Sequence, residues 1–314
     1  MVNTSTSLHF PVRLVVQRTG LSADVLRAWE RRYGAVLPHR TAGGQRVYST
    51  RDIKRLTLLA RLVDGGHAIG QIARATDDEL QGIVERDSRI SAPRPSAPSV
   101  ATASGDSLIA AALDATDRMD ADGLERLLRG AALRMGCDDM IEQVLAPLLF
   151  TIGSLWHQGV LRPAQEHVAT AVIRGILSWL MELTTPSPNA PCIVVGTPAG
   201  QMHELGAMIA AAVIASQGAR VLYLGADLPA AEIASAATRS RAVAVALSVM
   251  YPTDDARLPL EIAELRAALP PHVQIIAGGA AASTYADAWR PANAVVAASL
   301  TELRDYIRGL PSIS

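Results

Sequence analysis

Three groups of residues in this sequence combine types and spacings that could do chemistry. The first is a set of arginines: Arg18, then Arg27, Arg31 and Arg32 around Trp29 and Tyr33, then Arg40, a Gly43-Gly44 turn, and Arg46 with Tyr48. Guanidinium groups on a helix and on the turn behind it suit phosphate oxygens and guanine edges. A surface helical hairpin with a solvated arginine face is the plainer reading, and the coincidence of the arginines with a helix-turn-strand pattern favours DNA. The second is His203, in a loop after the apolar run CIVVGTP and three residues before Gly206. A neutral imidazole there can ligate a metal if an acceptor holds its other nitrogen. Taken alone, His203 reads as an ordinary loop or cap residue. The third is Trp156-His157 followed by Glu166-His167, two pairs that a short loop could bring together. Alone they read as a helix-end indole anchor and a solvated Glu-His pair.

The elements that must position these residues follow from periodicity. LVVQRTG ends on a glycine suited to a helix C-cap, and Ser22 can cap SADVLRAWERRYG, with Val25, Leu26 and Trp29 at helical spacing. Arg46-Val47-Tyr48 is strand-like, Ser49 or Thr50 opens RDIKRLTLLARLVDGG, and IGQIARATDDELQGIVER reads as one further helix. Residues 86–105, rich in Pro, Ser and Ala, read as a flexible linker. Residues 106–187 carry four helical patterns with short joins, which predicts a four-helix bundle. Pro147 is expected to kink or break the third helix, and Pro163 to start the fourth. From residue 188 onward, five short runs rich in Val, Ile and Ala alternate with helical patterns. That is the signature of a parallel, doubly wound α/β sheet.

Composition bounds the functional class. The net charge is only −1. Between residues 11 and 76, however, twelve Arg or Lys face four Asp or Glu, so a basic module can hold a phosphate backbone on an otherwise acidic chain. Cys137 and Cys192 lie far apart without metal-ligand spacing and read as buried thiols. No stretch reaches the ~18 apolar residues of a membrane span, and the N-terminus has no signal-peptide pattern, so a cytoplasmic protein without a membrane partner is expected. No domain large enough to hold an enzyme's substrate is evident, and a non-enzyme is expected.

Residues 11–80, through TGLSADVLRAWERRYG, LPHRTAGGQRVYS and RDIKRLTLLARLVDGG, resemble the MerR family of winged-helix regulators. The resemblance implies a dimeric DNA binder reading operator DNA with Arg18, Arg27, Arg31, Arg32, Arg40 and Arg46, and with Tyr33 and Tyr48 as phosphate or packing contacts. The C-terminal part resembles the B12-binding domains of methionine synthase and the corrinoid mutases, in the order Gln201-Met202-His203-Glu204-Leu205-Gly206, Leu224-Gly225, Leu247-Ser248-Val249 and Gly278-Gly279. That implies His203 as the lower axial cobalt ligand, with Ser248 and Gly278-Gly279 along the tunnel for the nucleotide tail. Gln201 replaces the usual acidic residue; its oxygen can still accept from the imidazole, without a charge.

Trp156, nine residues, then Glu166-His167 is similar to the bundle of the CarH/LitR light-responsive regulators. In that comparison Trp156 packs over the upper ligand of adenosylcobalamin, Glu166 and His167 make polar contacts around it, and His157 can coordinate cobalt once that ligand is lost. The implied protein is a winged helix-turn-helix, a four-helix bundle and a Rossmann-like cobalamin-binding domain. It would repress transcription as a homo-oligomer, dimer to tetramer, bound in the dark and released by light. A light-independent cobalamin sensor, a module holding another pigment, and a corrinoid carrier subunit of an enzyme are the competing readings. The winged helix counts against the last.

Overall fold

The computed structural model describes residues 9–41, 43–90 and 104–310, which divide into two compact units, 1–176 and 177–314. Most of the expected linker lies outside the described residues; its first residues belong to a helix instead, since α5 runs to Ile90.

The first unit opens with β1 (His9–Pro11) and α1 (Val12–Thr19). Gly20, at φ +71°, ends α1 in the left-handed region that glycine enters without a Cβ clash. The Ser22 side chain accepts from Val25 N and starts α2 (Ala23–Ala28), which continues as a π-helical turn over Trp29–Tyr33. β2 (His39–Arg40) and β3 (Arg46–Ser49) follow, in the order β1-β3-β2, all antiparallel. Ser49 and Asp52 form a capping box at the head of α3 (Thr50–Asp64). The single helix expected beyond it is two: α4 (Ile69–Ile72) and α5 (Asp77–Ile90). Thr76 and Glu79 exchange capping hydrogen bonds between them, a box that restarts the helix.

The bundle comprises α6 (Gly105–Asp117), α7 (Ala121–Arg134), a rod made of α8 (Cys137–Met140), a π-helical turn (Ile141–Leu145) and α9 (Ala146–His157), and α10 (Pro163–Leu183). Pro147 does not break the rod. It lacks the N–H that would bond Gln143 O, and the preceding residues widen into the π turn while keeping helical dihedrals.

The second unit is a parallel sheet of β4 (Cys192–Pro198), β5 (Arg220–Leu228), β6 (Ala244–Ser248), β7 (Gln274–Gly278) and β8 (Val295–Val296), in the order β5-β4-β6-β7-β8. Strand alternation sends Cys192, Val194, Val245, Leu247, Ile275 and Ala277 into a core with α12 (Ala230–Ser240) and α13 (Leu258–Ala268). The opposite residues, such as Ile193, Val195 and Ala246, are equally buried. α11 (Leu205–Ser216) crosses β4, β5 and β6 and packs against α15 (Leu300–Arg308). The chain reverses its winding between β4 and β6, and the carboxyl ends of these neighbours form the crevice where open α/β sheets take ligands.

Candidate DNA-reading face and cofactor site

On the winged helix, Arg18, Arg27, Arg31, Arg32 and Arg40 are all exposed. Arg18 stacks its guanidinium 4.5 Å over Phe10, and Arg40 Nη1 donates to Gly44 O at 3.1 Å, tying the turn to its own strand. Tyr33 is half-buried and packs beside Gly70. Two expected contacts sit behind this surface. Tyr48 is fully buried, and its hydroxyl donates to Glu30 Oε1 in a short hydrogen bond. Arg46 Nη1 pairs with Glu30 Oε2 at 2.8 Å, with a fifth of its side chain exposed. Burial and then the Glu30 hydrogen bond raise the Tyr48 phenol well above its ordinary pKa. Burial works against the Arg46 charge, but Glu30 outweighs it and raises that pKa as well. Tyr48 therefore takes the packing alternative, and the pair fixes the wing on the recognition helix.

Sequence reasoning missed an open groove of about 880 Å³ beside the wing, lined by His9, His39, Arg40, Thr41, Ser49 and Arg51 among others. It also missed Arg55, which donates to Ala35 O, Asp77 Oδ1 and Ala73 O. Both come from pairings too distant or strands too short to leave a local pattern.

In the bundle, the Trp156 and His157 rings lie 4.9 Å apart, and Trp156 is 43% exposed. Glu166 Oε2 is 2.6 Å from His167 Nδ1, and its Oε1 accepts from Thr170. Each pair holds together internally; among the described residues no hydrogen bond or ring contact joins one pair to the other. Phe150, on the same helix as Trp156, is 81% exposed, and a Cβ added at Gly153 would meet only open space.

In the α/β unit, the loop after β4 is tied down on both sides. Thr197 Oγ1 donates to Gln201 O and accepts from Asp227 N at 2.9 Å, while Asp227 Oδ1 accepts from Gly200 N at 2.8 Å. His203 is exposed at this loop, its ring edge-on to Tyr251 at 5.9 Å. Gln201, the expected acceptor for the imidazole, is buried. Its Oε1 accepts from Met250 N (3.1 Å) and Tyr251 N (3.2 Å), so the oxygen is spent on backbone rather than held for the imidazole. Its Nε2 is buried with no hydrogen-bond partner. Ser248 Oγ, at the end of β6, is buried and unpartnered as well.

Glycines leave the space around these atoms. A Cβ at Gly206 would stand 2.7 Å from Ser248 Oγ. At Gly279, φ is +99° and a Cβ would meet Val249 O at 2.4 Å. Gly278 O accepts from Val249 N, joining the two turns. Gly225 (φ +92°) lies opposite Gly196, where a Cβ would stand 3.0 Å from Gly225 O. Leu224 packs on the apolar core. Two orphaned buried polar atoms, a cradle of glycines and an exposed imidazole at the winding reversal fit a corrinoid with its nucleotide tail.

The fold and these sites define a DNA-binding regulator that carries a corrinoid-type module. Residues 10–79 match the MerR HTH family regulatory protein model, and 108–181 and 191–305 match two B12 binding domain models. The chain is 30% identical to the HTH-type transcriptional repressor CarH of Myxococcus xanthus, over 88% of this chain and 90% of that one. It is also 30% identical to the repressor CarA of the same organism, over 93% and 94%. The Methanosarcina barkeri monomethylamine corrinoid protein superposes with a TM-score of 0.52 at 17% identity, covering 65% of this chain and 98% of that one, a likeness of fold. The chain belongs to the CarH-type family of B12-dependent MerR transcriptional regulators. Among the described residues, no helix is long and apolar enough to cross a membrane.

Proposed function

We propose that this chain represses transcription by binding operator DNA as an oligomer, dimer to tetramer, in a manner set by adenosylcobalamin and light, and that it catalyses no reaction. The observation that carries the reading is the end of β6 and the loop after β4, where Ser248 Oγ, 2.7 Å from where a Gly206 Cβ would stand, and Gln201 Nε2 are both buried without partners. Bound adenosylcobalamin supplies a cobalt–carbon bond that light cleaves. His203 would hold the cobalt through its imidazole, and Ser248 with the Gly278-Gly279 turn would receive the tail. Trp156, with Glu166 holding His167, would be the bundle's contribution to holding the cofactor, and His157 would offer a second imidazole to cobalt. Exposed Arg18, Arg27, Arg31, Arg32 and Arg40 carry the DNA contacts, and gathering several such readers on one operator raises affinity without a new base contact.

The test is size-exclusion chromatography with a visible spectrum on the adenosylcobalamin-loaded protein, before and after green light, beside operator binding. Mass and DNA affinity should fall together on illumination; identical values in dark and light refute the light step. His203→Ala should lose corrinoid retention. A second reading, sensing of cobalamin level without light, draws on Gln201: its oxygen is committed to Met250 N and Tyr251 N, and among the described residues no acidic side chain is hydrogen-bonded to His203, so its hold on cobalt is more readily reversed.

A further inference from the structure

The winged helix and the bundle meet at one corner of the first unit. Ser22 N, at the cap of α2, donates to Leu133 O at 2.6 Å, so one of the carbonyls left open at the end of α7 is satisfied by the DNA-reading module. Leu21, Ser22 and Leu133 are all buried. One turn earlier, α7 carries Gly130, where a Cβ would stand 2.5 Å from Asp64 Oδ1 at the end of α3. Arg134 reaches the same carboxylate at 3.8 Å. Asp24, in the first turn of α2, faces Gly136 and Cys137; burial first, then Asp138 and Asp24, push the Cys137 thiol up to about 12.

This corner is also where the rod begins. From Cys137 it runs through the π turn to Trp156 and His157 as one helical element, about 30 Å long at 1.5 Å per residue. One end therefore rests on the start of the recognition helix, and the other carries Trp156 and His157, assigned above to the cofactor. The π turn between them is a place where a helix can change register without unfolding.

We propose that this rod couples the cofactor end of the bundle to the recognition helix within a single chain, through the Ser22–Leu133, Gly130–Asp64 and Asp24–Gly136 contacts. The proposal rests on the cofactor reading for its input and on the docked corner for its output. The coupling acts on the orientation of α2 and leaves the exposed arginines free to read DNA, so it is separate from the gathering of readers in an oligomer.

Hydrogen exchange by mass spectrometry on the full chain, with and without hydroxocobalamin, tests it. Loading, verified by visible spectrum, should change exchange at the Leu21–Val25 amides by about threefold or more. Gly130→Leu should bind the corrinoid equally and abolish that change; leucine is the better helix former, so α7 itself is kept while the new side chain displaces Asp64 and Arg134 from the corner. No change at Leu21–Val25 in the loaded wild-type chain, or a change that survives in Gly130→Leu, overturns the coupling. If the chain takes up no corrinoid, the cofactor reading falls, and coupling is read from Trp156→Asp: the same amides must change by about threefold against wild type, and unchanged exchange overturns it.

Discussion

The winged helix and the α/β module treat buried polar groups in opposite ways. In the winged helix the charged and hydroxyl groups are paired within the protein, Tyr48 and Arg46 on Glu30, and Arg55 on Asp77 and two carbonyls, and only the Trp29 indole Nε1 is buried without a partner among its described residues. Its arginines stand outside, ready for a partner that brings its own charges. In the α/β module β4, β6 and β7 are buried on both faces, and Ser248 Oγ and Gln201 Nε2, both buried without partners, sit at the edge where open α/β sheets take ligands. A macromolecular partner is met by a finished surface, and a small cofactor by an unfinished interior.

Breaking the first half of that contrast gives the largest effect. Glu30→Leu strips the acceptor from a buried hydroxyl and a mostly buried guanidinium and should cost about 3 kcal/mol, read by denaturant unfolding. A loss below about 1 kcal/mol would mean that water replaces Glu30. Arg27→Ala, on the exposed face, should leave stability within about 0.5 kcal/mol while weakening operator binding by about 1 kcal/mol and lowering the salt slope by about one. An unchanged salt slope would remove Arg27 from the phosphate contacts. Ser248→Ala sharpens the second half. It deletes an unsatisfied group, so the empty protein should be as stable or slightly more so, yet corrinoid retention should fall; a clear loss of stability in the empty protein would show that the hydroxyl already has a structural partner.

The smallest effect is in acid. Hydrogen bonds from Arg55 and Arg51 hold the Asp77 carboxyl below its ordinary value of 3.8. A carboxylate lowered on folding contributes stability above its unfolded pKa and loses it as pH falls through the folded one. Asp77→Asn should therefore differ from wild type at neutral pH and converge with it in acid, followed by thermal melts across pH 2–7. A difference that stays constant with pH would rule out the ion pair as its cause.

Much of this architecture was legible because periodicity and punctuation carry it. Gly20, Ser22 and Ser49 mark helix ends by local chemistry, and the apolar runs of β4 to β8 can be little else than buried strands. The box of Thr76 with Glu79 is equally local, but it lies inside a helical pattern whose apolar spacing runs on without a break. Other features are not local at all. β1 and β2 are too short for a pattern, and the clamp of Glu30 on Tyr48 joins residues eighteen apart. The site order from Gln201 to Gly279 was readable, but not how the Gln201 amide is oriented. That depends on two backbone N–H groups roughly fifty residues downstream.

Arg55 has a last consequence. Its single side chain holds the loop after the recognition helix at Ala35, the end of α4 at Ala73, and the head of α5 at Asp77. None of these segments can leave alone without abandoning the same planar cation. Melting of the winged helix should then be all-or-none, and a protease should find the Ala35 loop and the Thr76 junction cut at the same denaturant concentration or not at all.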